Sequence, residues 1–67
     1  MKLFLVVDKK INMITEIYND VNISAVTRTI QAMVNEDFIN KKFVRIYHWE
    51  DSVLYELSGD VTNGFKV

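Results

Sequence analysis

Cysteine and proline are absent from this 67-residue chain, glycine occurs twice and histidine once. Without cysteine there is no disulfide framework and no thiolate zinc site, and the composition fits a reducing compartment. With no proline, low-complexity stretch or linker, residues 1–67 read as a single domain. A chain of this size buries only about 60% of its unfolded surface, so support from self-association is expected. Positive charge is not in excess: eight Lys plus Arg stand against nine Asp plus Glu, a formal net charge of −1. The overall field therefore does not attract nucleic acid, and any such site must be local. Long hydrophobic runs are missing too. Leu3 to Val7 is apolar throughout but stops at Asp8-Lys9-Lys10, too short for an export signal or for a membrane span of about 20 residues. No nucleophile motif or glycine-rich phosphate loop occurs. A lone histidine is a poor basis for catalysis at this size, so neither an enzyme, a metal nor a cofactor is expected.

The segment with a sustained helical period is Ile23 to Glu36. Ile23, Val26, Ile30, Met33 and Val34 recur at helical spacing and form one packing stripe, with Thr27, Arg28, Gln31 and Asn35 mostly turned away. Asp20, Asn22 and Ser24 each stand where an N-cap oxygen could take the free N–H groups of the first turn, and the sequence does not choose among them.

Short β-branched and aromatic runs flank this helix. Leu3 to Val7 suits a strand buried on both faces, hence central in a sheet. Ile11 to Tyr18 then alternates, with Ile11, Met13, Thr15 and Ile17 on one side and Asn12, Ile14, Glu16 and Tyr18 on the other, the second strand of a hairpin. Phe38-Ile39 is expected to tuck back at the helix end. Phe43 to Tyr47 reads as a third strand, His48 to Ser52 as a connecting turn, and Val53 to Leu57 as a fourth strand. Asn63-Gly64 is a type I′ turn signal that would fold Val61-Thr62 on Phe65-Lys66-Val67 as a short C-terminal ribbon. The expected fold is α+β: a four-stranded antiparallel sheet of two hairpins, β-β-α-β-β, with one helix on one face.

Among polar clusters, His48, Glu50 and Asp51 have side chains suited to metal or acid–base chemistry, but three polar residues in four positions are what a hairpin turn contains anyway. More informative are Phe43, Arg45, Tyr47 and Trp49 on one strand face, joined across the hairpin by Tyr55. Rings interleaved with a guanidinium suit single-stranded nucleic acid, because bases stack on the rings while the cation meets phosphate. One helix covers only one face of a sheet, so the same residues suit the core of a homodimer better still, and one protein could divide the surface between both uses. Lys9 and Lys10 in the first turn, with Lys41 and Lys42 after the helix, would form a basic rim if their loops lie at one end. The plain reading of such lysine pairs is solubility.

Several short stretches resemble the small nonstructural protein of gokushovirus-type Microviridae, icosahedral single-stranded DNA phages. These are Asp8-Lys9-Lys10 after a short strand, Asn19-Asp20 before the helix, Arg28 with Val34-Asn35-Glu36, and above all His48 to Leu57. The family usually has proline where Trp49 stands, an aromatic where Ser52 stands and glycine where Ser58 stands. The resemblance implies a non-capsid protein of the host bacterial cytoplasm that assists single-stranded genome synthesis or packaging by binding DNA. An interaction module that recruits a phage or host replication or procapsid protein, without binding DNA, is the alternative. The resemblance assigns no site residues.

Overall fold

The computed structural model describes residues 2–67. Its elements run β1 (Lys2–Asp8), β2 (Met13–Asn19), α1 (Ile23–Asn35), β3 (Val44–Glu50), β4 (Val53–Glu56), β5 (Ser58–Asp60) and β6 (Gly64–Lys66). The first four strands form an antiparallel sheet in the order β2-β1-β3-β4, and β5-β6 form a separate two-stranded ribbon. The expected α+β architecture is therefore present, with β1, apolar from Leu3 to Val7, in the interior of the sheet.

The helix begins where Asn22, not Asp20 or Ser24, accepts the Ser24 N–H at 2.7 Å. Asp20 instead accepts from the Lys2 backbone N–H. Val26 and Ile30 lie fully buried on the sheet, while Ile23, Met33 and Val34 pack half-buried around them. Beneath the helix are Phe4 and Val6 of β1 and Val44 and Ile46 of β3, closed at the sides by Ile39, Leu57, Val61 and Phe65. Burial of each such side chain stabilises the fold by about 1.5–3 kcal/mol. Thr27, expected to turn away, is buried instead, because the ribbon packs over that flank of α1 and widens the covered arc. Of the Phe38-Ile39 pair only Ile39 is an anchor; Phe38 is 73% exposed.

Three further expectations need correction. Regular alternation in the second strand fails at Thr15, where a bulge shifts the pairing from Val6↔Glu16 to Val7↔Ile14. Ile14 and Ile17 consequently share the face away from the helix, and Met13, Glu16 and Tyr18 share the other. The third strand continues through Glu50, so His48 is not a turn residue. The turn is Asp51-Ser52 alone, with φ of 53° and 64°, the two positive values a type I′ hairpin requires. In the ribbon, Asp60 pairs with Gly64 across Val61-Thr62-Asn63. The loop is thus three residues long, held by the Asn63 N–H donating to Asp60 at 2.7 Å, and Asn63-Gly64 is not a two-residue turn.

Candidate nucleic-acid interface

Strand β3 builds the candidate site. Against β1 its register is Val7↔Arg45, Leu5↔Tyr47 and Leu3↔Trp49, and against β4 it is Tyr47↔Glu56 and Trp49↔Leu54. Because Val44, Ile46 and His48 point into the core, Arg45, Tyr47 and Trp49 must face the opposite way, onto the face that the helix leaves open. They recur at every second residue, about 6.8 Å apart along the strand, and all three are half-buried. The remainder of this face is aliphatic: Leu3, Leu5 and Val7 lie in its centre, and Ile14, Ile17 and Leu54 at its edges are each more than half exposed. Sequence reasoning missed these as neighbours of the rings. The signal was present in the unbroken apolar run of β1, which supplies a second apolar face.

The topology brings both lysine pairs to one end of the sheet. Asp8 at the end of β1 pairs with Val44 at the start of β3, and the Lys9 N–H donates to the Phe43 carbonyl at 2.8 Å. The first turn, with Lys9 and Lys10, is thereby fixed beside the segment carrying Lys41 and Lys42, and all four lysines are exposed. Arg45 joins them: its Nη1 donates to the carbonyls of Val44 at 2.8 Å and Lys42 at 3.2 Å. The guanidinium is turned toward the lysine end rather than over the rings. Asp8, Glu36 and Asp37 lie at this end as well, so five cations meet three carboxylates. The Asp8 carboxylate is engaged by the Lys10 backbone N–H at 2.9 Å. At the opposite end stand Asp20, Glu50 and Asp51, with Lys2. The sheet is electrically polarised along its strands, positive at the lysine end.

Tyr55 does not belong to the ring row. It pairs with His48 on β3 and therefore lies on the helix side of the sheet. Its hydroxyl meets His48 Nδ1 at 2.6 Å, and the two rings meet edge to face at 5.0 Å. His48 is 1% exposed, stacks on Phe4 at 5.0 Å, and its Nε2 has no hydrogen-bond partner among the described residues. Phe43 lies one residue before β3, in the turn that ends at its foot, and is half-buried. The His48, Glu50, Asp51 set does not converge, since the histidine is enclosed in the core. Among the described residues no group of three His, Cys, Asp or Glu could hold a metal ion, and no helix is long and apolar enough to cross a membrane.

On the open face Tyr47 stands directly opposite Glu56 of β4. Partial burial, then the neighbouring Glu56 carboxylate, raise the Tyr47 hydroxyl above its ordinary value, while Arg45 acts in the opposite direction. No protein family, curated protein or solved structure compared with the chain matches it.

Proposed function

We propose that this protein is a nonstructural accessory protein of a single-stranded DNA phage, acting in the cytoplasm of the infected bacterium during single-stranded genome synthesis or packaging. Its proposed activity is weak, sequence-independent binding of single-stranded DNA. The observation that carries this reading is the junction of the Lys9, Lys10, Lys41, Lys42 end with the Arg45, Tyr47, Trp49 row, to which the fold brings the Lys9-Lys10 turn from far along the chain. A strand entering at the lysine end meets phosphate-binding cations first, and then rings on which bases stack along β3. Backbone contacts and stacking carry no base readout, hence the absence of sequence preference. The resemblance to the microvirus protein agrees with the same role.

Fluorescence anisotropy of a labelled oligonucleotide tests the reading. If four phosphates are engaged, the logarithm of the binding constant falls with the logarithm of salt with a slope of roughly −3. Replacing Lys9, Lys10, Lys41 and Lys42 by Gln should flatten that slope, while Trp49→Ala should weaken binding about fivefold or more at every salt concentration. One observation favours a second reading, an interaction module: Ile14, Ile17 and Leu54 extend the open apolar face beyond what stacking needs. No binding at low salt decides for that module.

A further inference from the structure

Strand β2 is an edge with little of the usual protection. It pairs with β1 on one side, and among the described residues no strand lies on the other. Six of its seven residues are exposed. Natural edges are blunted by lysine, proline, bulges or very short strands, and of these β2 has only the bulge at Thr15. β2 carries neither Lys nor Pro and has one charge, Glu16, whereas the opposite edge, β4, is only four residues long. Met13, Ile14 and Ile17 on β2 are 58%, 53% and 59% exposed.

The bulge at Thr15 determines what this edge fits. When a strand pairs antiparallel with its own copy about a two-fold axis normal to the sheet, residues opposite each other must lie on the same face. In a regular strand Ile14 and Ile17, three residues apart, would lie on opposite faces. The bulge puts both on the open face and both Met13 and Tyr18 on the helix face. One register then satisfies every such pair: Ile14 lies opposite the partner's Ile17, Met13 opposite the partner's Tyr18, and Thr15 opposite the partner's Glu16. Centring the pair on Glu16 instead would set Ile14 against the partner's Tyr18, on the wrong face, and one Glu16 against the other, a like-charge pair.

We propose that the occupant of the β2 edge is a second copy of this chain, joined in that register into a continuous eight-stranded sheet. Both helices lie on one side of this sheet and both Arg45, Tyr47, Trp49 rows on the other. The interface is separate from the DNA reading and does not rest on it, because β1 stands between β2 and β3. Pairing also buries the exposed aliphatic pairs and satisfies the free edge of a chain too small to bury all its apolar surface.

Sedimentation equilibrium of the full chain at micromolar concentration tests the assignment, with circular dichroism to show that each variant is folded. Ile14→Lys or Ile17→Glu alone disturbs two symmetry-related pairs and should weaken the dimer about tenfold or more. The double variant Ile14→Lys with Ile17→Glu sets each Lys opposite the partner's Glu, twice, and should restore assembly. Leu54→Lys, on the same face but the other edge, should leave the dimer unchanged. A monomeric wild-type chain overturns the proposal. So does a folded double variant that stays apart, or a dimer that Leu54→Lys breaks and Ile14→Lys does not. Oligonucleotide binding measured on the same samples reports on the DNA reading separately, so failure of one is not confused with failure of the other.

Discussion

Removing one oxygen from a residue that is 41% exposed should measurably destabilise this protein. Tyr55→Phe keeps the ring and its edge-to-face contact with His48, but deletes the hydroxyl that meets His48 Nδ1 at 2.6 Å. His48 is enclosed and its Nε2 has no partner among the described residues, so in either tautomer the substitution removes the imidazole's one hydrogen bond among them. Stranding a buried polar atom costs about 1–3 kcal/mol, more than the roughly 0.5–1.5 kcal/mol net of an ordinary hydrogen bond. In urea, with a slope of roughly 1 kcal/mol/M for a chain of this size, the unfolding midpoint should fall by about 1 M or more. Tyr47→Phe is the internal control. It removes a hydroxyl that water solvates on the open face, and should cost under about 0.5 kcal/mol. If the two variants lose the same stability, or Tyr55→Phe loses less than about 0.5 kcal/mol, the enclosure of His48 and the placement of Tyr55 on the helix side are refuted.

Ile30→Ala, at the centre of the buried helix stripe, should cost about 2–5 kcal/mol by denaturant unfolding, and a loss under half a unit would remove that stripe from the core. At Gly59, φ is +100° and an added Cβ would fall 2.1 Å from the Gly64 carbonyl oxygen. Gly59→Ala should therefore break the β5-β6 ribbon and expose Phe65, whereas Gly64→Ala, with φ +90° but open space around it, should cost only the backbone strain; amide exchange in the ribbon distinguishes them. Tyr18, raised chiefly by burial and then by the Glu16 charge, and Tyr47, raised chiefly by burial, both hold their protons more tightly when folded. Since the unfolded chain then loses protons first, the contribution of these two tyrosines to stability should be level below about pH 10 and fall as pH rises from there through the raised values. A stability that increases with pH in that range would reverse the sign.

The helix stripe and the central position of β1 were legible because each rests on a local period or run: Val26 and Ile30 at helical spacing, and five apolar residues without a polar break. Tyr55 was misplaced for a reason of counting. Treating His48 to Ser52 as a turn hides the two-residue Asp51-Ser52 hairpin, and only that hairpin fixes which residues of β3 and β4 share a face. Asp and Ser at positive φ give a weaker turn signal than Asn-Gly, which drew attention to Asn63-Gly64 instead. The Thr15 bulge left no mark in an alternating sequence of Ile, Thr and Tyr; it is set by pairing with β1, a partner distant along the chain. For the candidate site, the ring row followed from period-two spacing in Arg45, Tyr47 and Trp49, and the basic end was conditional on loop position. The Lys9 to Phe43 hydrogen bond meets that condition, and no local signal could have supplied it.

The claim that DNA lies along β3 has a built-in reporter, because Trp49 is the sole tryptophan. Titrating unlabelled single-stranded oligonucleotide into the wild-type chain at low salt while following Trp49 emission tests it most directly. Base stacking on the indole predicts quenching that saturates with oligonucleotide, is reversed by added salt, and is weakened in the Lys9, Lys10, Lys41, Lys42→Gln variant. Emission that stays constant while anisotropy shows the oligonucleotide to be bound would contradict a path along the Arg45, Tyr47, Trp49 row.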